Sequence, residues 1–250
     1  LIDQGILSLA RSDFAAALGQ FTGAIDLQPG LAAAWRWRGY VYAGQGDLDS
    51  AIADYDRALQ LDPDDPDAYI NRGIAYRNKG DLDGAIGDYD RALRLDPDNP
   101  DVYINRGIAY RIKGDPDHAI ADYDRALQLD PDNTTAYINR GIAYRSRGDL
   151  DRAIADYDRV IGIAPDYALA YYNRGNAHAG KSDYDRAIGD YDQALRLNPA
   201  YMEAYYNRGA AYNAKGDYGR ARVDWTEALR INPGLRQARE GLEMLDQAGR

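Results

Sequence analysis

The sequence contains no cysteine and only two histidines, His118 and His178. Without cysteine there is no disulfide framework and no Cys-based zinc or iron–sulfur site, and two histidines are too few for a multi-histidine metal centre. No apolar run approaches the roughly 20 residues that span a bilayer, and the mean hydropathy is −0.62. Positive charge is also in deficit, since 40 acidic residues against 30 basic ones give a net charge of −10. The chain therefore lacks the net basic face that a general nucleic-acid binder needs.

Phenylalanine is scarce too, with two residues against 22 tyrosines, and the tyrosines belong to a repeating pattern. Three other residue types share one step of 34 residues, at Pro29, Pro63, Pro97, Pro131, Pro165, Pro199 and Pro233, at Gly5, Gly39, Gly73, Gly107, Gly141, Gly175 and Gly209, and at Ala17, Ala51, Ala85, Ala119, Ala153, Ala187 and Ala221. Residues 66–99 and 100–133 are identical at 28 of 34 positions. This pattern predicts a repeat protein. Recent tandem duplication and consensus engineering would both produce such similarity.

Each repeat, numbered from position 1 at Pro66, predicts two helices. Pro66 stands where a first helix begins, and Gly80 stands where it ends. Asp81 caps the second helix, which the Asp96–Pro97 dipeptide ends. Tyrosine, glycine and alanine recur at i, i+4 and i+7 along both helices, so each helix has one packing stripe. The small residues predict close approach of two backbones, and the tyrosines fill the gaps between them.

This pattern resembles the signature of the tetratricopeptide repeat (TPR). The residues that carry the resemblance in one repeat are Tyr69, Gly73, Tyr76, Ala85, Tyr89, Ala92 and Pro97. The match covers essentially the whole chain. It implies an all-α fold, a TPR α-solenoid in which antiparallel helix pairs build a right-handed superhelix. It also implies that the first helices of the repeats line a concave groove in which another chain docks.

We expect residues 1–250 to form a single solenoid domain. A degenerate first repeat occupies residues 1–31, and the full repeats are 32–65, 66–99, 100–133, 134–167, 168–201 and 202–235. A further helix at about 235–245 resembles the cap helix that this family often carries. The chain begins with Leu1, which is compatible with a piece of a longer protein. We expect a soluble protein of the cytoplasm, and the lack of cysteine fits the periplasm equally well.

One departure from the family pattern predicts ion pairs. Position 7, where the family usually has leucine, is arginine in six repeats, at Arg38, Arg72, Arg106, Arg140, Arg174 and Arg208. The same repeats have aspartate at position 23, at Asp54, Asp88, Asp122, Asp156, Asp190 and Asp224. The first repeat loses both, with Gln4 and Gln20 in their places. We therefore predict a partly buried Arg–Asp pair between the two helices of each repeat. Aspartate also recurs at position 25, but it is a less suitable partner for the arginine, because the last repeat has Thr226 there and still has Arg208 at position 7.

Asparagine occupies position 6, which the resemblance places in the groove, in five repeats: Asn71, Asn105, Asn139, Asn173 and Asn207. A carboxamide can bond both the N–H and the C=O of an extended peptide. The arrangement is similar to the asparagine ladder in the repeat arm of O-GlcNAc transferases, which grips peptide backbone. At 8–10 Å per helix layer and about 3.3 Å per extended residue, the ladder accommodates roughly 12 ligand residues. The alternative is that asparagine is simply common at this position in the family.

Other groove positions predict a ligand with acidic and apolar side chains. Position 12 is arginine at Arg77, Arg111 and Arg145, and guanidinium groups suit carboxylates. Alternatively, these arginines pair with Asp67, Asp101 and their neighbours. Apolar or aromatic groove contacts are expected from Ile70, Ile104, Ile138, Tyr172, Tyr206, Trp37 and Tyr40.

We predict from this a non-enzymatic scaffold for protein–protein interaction that binds an extended, partly acidic peptide in its groove. We expect no catalytic or metal-binding residues, no cofactor, and neither nucleic acid nor membrane as a partner. One alternative is a structural solenoid that self-associates, which Leu1, Ile2 and Ile6 would favour as exposed apolar residues. Another is the substrate-recognition arm of a larger enzyme.

Overall fold

The computed structural model describes residues 1–249, and within this range the chain forms fifteen α-helices. They are α1 (Ile2–Ala10), α2 (Phe14–Leu27), α3 (Ala32–Gly44), α4 (Leu48–Leu61), α5 (Pro66–Lys79), α6 (Leu82–Leu95), α7 (Pro100–Lys113), α8 (Pro116–Leu129), α9 (Thr134–Ser146), α10 (Leu150–Ile163), α11 (Ala168–Gly180), α12 (Tyr184–Leu197), α13 (Met202–Ala214), α14 (Tyr218–Ile231) and α15 (Arg236–Gln247). The all-α prediction is confirmed, with two helices for each of seven repeats and one helix after them.

The helices group into two compact units, an N-terminal unit at Leu1–Pro131 and a C-terminal unit that is the described part of Asp132–Arg250. In the N-terminal unit, the pairs α1/α2, α3/α4, α5/α6 and α7/α8 stack in chain order. In the C-terminal unit, the pairs α9/α10, α11/α12 and α13/α14 stack in the same way, and α15 packs on α14. Within each unit, each helix packs on the next, as expected of a solenoid. The single-domain description of residues 1–250 stays a prediction.

A glycine and a tyrosine hold the two helices of each full repeat close together, except that a tryptophan replaces the tyrosine in the last repeat. The Tyr89 ring is fully buried and lies against Gly73, where an added Cβ would be 2.7 Å from Tyr89 Cε1. The same contact recurs between Gly107 and Tyr123, at 2.6 Å. Because no side chain fits into such a gap, position 8 of the repeat must be glycine for the ring to pack. This explains why glycine recurs at position 8 wherever a large ring occupies position 24.

The turn between the two helices also follows the repeat. Gly80 has φ = 91°, in the left-handed region, and ends α5. The next residue, Asp81, donates its backbone N–H to the Tyr76 carbonyl at 2.9 Å. Its side chain caps α6 by accepting from Gly84 N at 2.9 Å. Ser182 has the same left-handed conformation without being glycine, with φ = 61°.

The predicted Arg–Asp pairs are confirmed in all six full repeats. In each one the arginine donates two parallel hydrogen bonds to the aspartate, from Nε and Nη2, over distances of 2.5–3.0 Å. The aspartates are buried, with Asp122 5% exposed. Burial raises the pKa of the Asp122 carboxyl, and the hydrogen bonds and charge of Arg106 reverse this only in part.

The arginines also bond the preceding repeat, through position 25. Arg72 Nη1 donates to Asp56 Oδ1 at 2.5 Å, and the same contact joins Arg106 to Asp90, Arg174 to Asp158, and Arg208 to Asp192. Burial alone lowers the pKa of the Arg72 guanidinium, but the hydrogen bonds and charges of Asp88 and Asp56 raise it above its ordinary value. This explains why Thr226 can replace the aspartate of position 25 in the last repeat. An aspartate at position 25 bonds the arginine of the following repeat, and after the last repeat the residue at the arginine's position is Leu242.

Within residues 1–249, none of the helices is both long enough and apolar enough to cross a membrane.

Candidate peptide-binding surface

Within each unit, the first helices of successive repeats also touch one another, and we call the surface that they present the first-helix face. In the N-terminal unit this face is formed by α3, α5 and α7, and in the C-terminal unit by α9, α11 and α13. Every groove residue predicted from the sequence lies on one of these six helices. The two units are described separately below.

The asparagines of the N-terminal unit differ from each other in their contacts. Asn105 Oδ1 accepts a hydrogen bond from Arg77 Nη1 at 2.9 Å, which leaves its Nδ2 group without a protein partner. Asn71 is half-buried and forms no side-chain hydrogen bond within the described residues. These two residues therefore offer different groups to a ligand, although the sequence places them at equivalent positions.

The asparagines of the C-terminal unit are largely committed to the protein itself. Asn139 Nδ2 donates to the Thr135 carbonyl of its own helix at 2.9 Å. Asn173 is 4% exposed, and its Nδ2 group is buried with no hydrogen-bond partner among the described residues. Asn207 Nδ2 donates to the Tyr172 hydroxyl at 3.1 Å and to Asn176 Oδ1 at 2.9 Å. In this unit the carbonyl oxygens of Asn139 and Asn207 are the groups left for a ligand.

The three position-12 arginines have no carboxylate partner. Within residues 1–249, neither Arg77, Arg111 nor Arg145 takes part in an ion pair, although most of the other arginines on these helices do. Asp67, one of the alternative partners expected from the sequence, pairs instead with Arg36 Nη1 at 3.3 Å. Arg145 is exposed, and Arg77 and Arg111 are half-buried. Their positive charge is therefore not neutralised within the protein.

Tyrosine hydroxyl groups lie below these arginines. The hydroxyls of Tyr89, Tyr123 and Tyr157 are buried and have no hydrogen-bond partner that meets normal geometry. Burial raises the pKa of each phenol to about 12, and the charge of the arginine in the same repeat (Arg77 for Tyr89) lowers it only in part. The phenols therefore stay neutral under any physiological condition, and they place no negative charge beside the arginines.

The predicted apolar contacts are unequally accessible. Ile104 and Ile138 are only 4% exposed, so they pack inside the protein and have little surface for a ligand. Ile70 and Tyr206 are half-buried. Tyr172 is also half-buried, and its ring centroid lies 4.8 Å from that of Tyr201.

An aromatic cluster occupies α3 in the N-terminal unit. The Trp37 ring stacks on Phe21 with centroids 6.2 Å apart, and it meets the edge of Tyr40 at 5.8 Å. The guanidinium of Arg36 lies 5.3 Å from the centre of the Trp37 ring. Tyr40 is exposed, so its ring is the accessible part of this cluster.

A pocket of about 480 Å³ opens on the first-helix face of the C-terminal unit. Tyr172, Asn176, Ala179, Tyr191 and Asn207 are among the residues that line it. Sequence reasoning identified Tyr172 and Asn207 but missed the other three. The available signal was that Asn176 and Ala179 stand where the three central repeats have isoleucine and arginine.

Within residues 1–249, no group of three or more histidine, aspartate or glutamate side chains has the geometry to hold a metal ion.

A family model for the tetratricopeptide repeat matches residues 2–66, 40–100, 104–168 and 172–236. The chain belongs to the tetratricopeptide repeat family. No curated protein matches the TPR chain significantly over its sequence.

Solved structures of other TPR proteins resemble this chain. MamA is 31% identical to it, with a TM-score of 0.60 over 67% of this chain and 92% of that one. YrrB, a TPR protein described as having an unusual peptide-binding site, is 28% identical, with a TM-score of 0.62 over 75% of this chain and 97% of that one. A chain of the APC/C hetero-tetramer Cut9–Hcn1 is 20% identical, with a TM-score of 0.74. The match includes 93% of this TPR chain and 48% of the other one, and it shows a shared fold.

The TPR repeats and these relatives support a protein–protein interaction scaffold whose partners are proteins or peptides. TPR scaffolds are typically non-enzymatic.

Proposed function

We propose that the protein binds an extended, partly acidic peptide on its first-helix face. The observation that carries this proposal is that Arg77, Arg111 and Arg145 have no carboxylate partner among residues 1–249, in a chain with ten more acidic than basic residues. An arginine that has no internal counter-ion amid so many aspartates favours a carboxylate supplied by a ligand. Side-chain carboxylates and a C-terminal carboxylate both have this chemistry.

Polar groups on the same face support contact with the ligand backbone. Asn105 has a free Nδ2 donor, because its oxygen is occupied by Arg77. Asn139 and Asn207 have free oxygen acceptors, because their Nδ2 groups are occupied. A peptide backbone offers both a donor and an acceptor at each residue, so it can use either kind of group. Each bond contributes about 0.5–1.5 kcal/mol net.

Accessible apolar surface on the face is contributed by Tyr40 and by the half-buried Ile70 and Tyr206. The buried Ile104 and Ile138 shape the face from beneath and are not part of the proposed contact. YrrB, described as a TPR protein with an unusual peptide-binding site, resembles this chain in fold and in 28% of aligned residues. That likeness supports a peptide as the ligand class.

The proposal is tested by selecting a displayed library of random 12-residue peptides on the wild-type protein. We expect enrichment of aspartate and glutamate, and dissociation constants in the micromolar range, because peptide ordering offsets much of the contact energy. In the variant Arg77→Ala/Arg111→Ala/Arg145→Ala, the dissociation constants of the selected peptides should rise by about tenfold or more. Raising the salt concentration should also raise the dissociation constants of the wild-type protein.

The matched control is Lys79→Ala/Lys113→Ala/Lys215→Ala, which removes the same charge from the same repeats or the same unit. These lysines are exposed or nearly so and pair with Asp49, Asp83 and Asp185 at the ends of second helices. Binding should change by less than about twofold in this variant. Selected peptides without acidic enrichment, or equal losses in both variants, would contradict the proposal.

A second candidate function is self-association through the N-terminal repeat. Leu7 is 58% exposed and Leu27 is 80% exposed, and Leu1 and Ile6 lie on the same repeat with exposed side chains. Apolar exposure of this kind favours contact between copies. Light scattering across a concentration series tests it, since a constant monomer mass would exclude assembly at those concentrations.

A further inference from the structure

The pocket on the C-terminal unit is built from residues that depart from the repeat pattern. Of its ten lining residues, six differ in type from the corresponding residues of the third, fourth and fifth repeats. Tyr172 and Asn176 stand where the central repeats have isoleucine, Ala179 where they have arginine, Tyr184 where they have leucine or proline, Ala210 where they have isoleucine, and Ala214 where they have asparagine, isoleucine or serine. Other departures of the sixth and seventh repeats, such as His178 and Ser182, lie elsewhere, but these six line one cavity.

The departures give the pocket a fixed polar side. The Tyr191 hydroxyl donates to Asn176 Oδ1 at 2.8 Å, and Asn207 Nδ2 donates to the same oxygen at 2.9 Å and to the Tyr172 hydroxyl at 3.1 Å. These bonds hold the two carboxamides in place. They leave Asn176 Nδ2 as a donor and Asn207 Oδ1 as an acceptor, neither with a protein partner. A hydroxyl group both donates and accepts, so it complements this pair.

The departures also remove a positive charge and replace large side chains by small ones. Ala179 replaces the arginine of the central repeats and Ala210 replaces isoleucine, and Ala211 and Ala214 extend the same small surface. Loss of a cation argues against a carboxylate as the occupant of this pocket. The small alanine side chains in the lining let a flat ring approach the helix backbone, and about 480 Å³ is far more than a carboxylate needs.

The positive charge that remains in the pocket lining, on Arg145, suits an aromatic ring of a ligand. Arg145 lines the pocket and has no carboxylate partner among the described residues. A guanidinium without a counter-ion is attracted to the face of an aromatic ring. The rings of Tyr172 and Tyr184 on the pocket wall add the offset contacts that aromatic pairs prefer.

We propose that this pocket receives an aromatic side chain of the peptide ligand, with tyrosine favoured over phenylalanine by the Asn176–Asn207 pair. The inference rests on the proposed function, because it treats the pocket as one subsite on the peptide-binding face. The aromatic residue acts as an anchor against the face of the Arg145 guanidinium, and the acidic residues of the ligand lie outside the pocket, where they contact the edges of Arg77, Arg111 and Arg145.

The probes are N-acetyl-L-tyrosinamide, N-acetyl-L-phenylalaninamide and N-acetyl-L-leucinamide, titrated into the ¹⁵N-labelled protein and followed by NMR. We expect shifts of the Ala179, Ala210 and Ala214 amides, with affinity falling in the order tyrosine, phenylalanine, leucine. Ala179→Arg restores the residue of the central repeats and fills the pocket, so it should weaken the tyrosine probe by about tenfold. If Ala179→Arg fails to fold, Ala210→Ile makes the same test. Lys113→Ala, in the other unit, is the control: this lysine pairs with Asp83 outside the proposed binding residues, so the variant should bind the probe as the wild type does.

Selection of the 12-residue library on Ala179→Arg separates the two proposals. Wild-type selections should contain a preferred aromatic position, and Ala179→Arg selections should lose it while keeping the acidic residues. Acidic peptides without an aromatic preference, or no pocket shifts with the tyrosine probe, would overturn this inference and leave the proposed function standing. A library that yields no acidic peptides would instead overturn the proposed function.

Discussion

Arg106 holds Asp122 through two parallel hydrogen bonds, from Nε at 2.9 Å and from Nη2 at 2.5 Å. Only 20% of the arginine side chain and 7% of the aspartate side chain are exposed. Burial raises the pKa of the Asp122 carboxyl despite this pairing, so desolvation is the larger effect at this site. The pair is therefore costly to break and contributes little net stability as a whole.

Asp122→Ala should lower the free energy of unfolding by about 3 kcal/mol, because it leaves Arg106 buried with Asp90 as its remaining partner. Replacing both partners by leucine, in Arg106→Leu/Asp122→Leu, should recover most of that loss. Urea denaturation measures both changes. Asp83→Ala is the control, since its side chain is 81% exposed, and it should cost less than about 1 kcal/mol. A loss within error for Asp122→Ala would show that the pair has no such role.

Arg38 is the full-repeat arginine whose preceding repeat has Thr22 at position 25. Thr22→Asp should therefore supply a second carboxylate and stabilise the protein by about 0.5 kcal/mol. The matched control is Thr226→Asp, which adds the same residue where Leu242 follows in place of an arginine. Thermal unfolding should shift upward for Thr22→Asp alone. Equal shifts in both variants would mean that the new charge acts without Arg38.

Alkaline pH should unfold the protein through its buried tyrosines. Burial raises the pKa of Tyr89, Tyr123 and Tyr157 from 10.0 to about 12 in the folded protein. A raised folded-state pKa gives stability that is fully present below pH 10 and is lost as the pH rises towards 12. Each of these phenols contributes at most about 3 kcal/mol to that loss.

The measurement is far-ultraviolet circular dichroism against pH, recorded together with tyrosinate absorbance. Helicity should fall between about pH 10 and 12, and Tyr123→Phe should make the dependence on pH shallower by removing one titrating group. Full helicity at pH 12 would contradict the prediction.

Ser182→Gly should stabilise the C-terminal unit. Ser182 has φ = 61°, whereas Gly148 at the same place in the preceding repeat has φ = 80°. A side chain in the left-handed region costs roughly 1 kcal/mol that glycine does not incur, so the variant should gain a similar amount. Gly148→Ser is the reverse change and should lose it. Opposite shifts of the two melting temperatures would support this explanation, and shifts of the same sign would refute it.

The fold could be predicted because its determinants lie inside one repeat. The spacing of Gly73 and Tyr89 reflects a contact between two helices that are joined by a short turn, and the Arg–Asp pair lies across the same two helices. The role of position 25 could not be obtained in this way, since Asp56 belongs to one repeat and its partner Arg72 to the next. When positions are compared within one repeat, Thr226 is an exception to the aspartate pattern. When adjacent repeats are compared, it fits the pattern, because no arginine follows it sixteen residues later.

The candidate site was less predictable, because equivalent positions acquire different neighbours. The sequence treats Asn105 and Asn207 as equal rungs of a ladder. In the structure Asn105 accepts from an arginine, whereas Asn207 donates to a tyrosine and to Asn176. Those contacts depend on positions 5, 9 and 12 of the preceding repeat, which change together towards the C-terminus. Side-chain pairing across repeats, and not residue identity, decides which atoms of each carboxamide are bonded within the protein.

The contact between Arg72 and Asp56 has a consequence for the length of the chain. Each arginine that bonds a carboxylate of the preceding repeat finds it sixteen residues upstream, as Arg106 finds Asp90. Excising or copying 34 residues within this region recreates the same spacing at the new junction, so no buried charge is stranded. An insertion between the two residues whose length is not a multiple of 34 breaks it. Genetic recombination can therefore lengthen or shorten the array in whole repeats without a stability penalty at the seam.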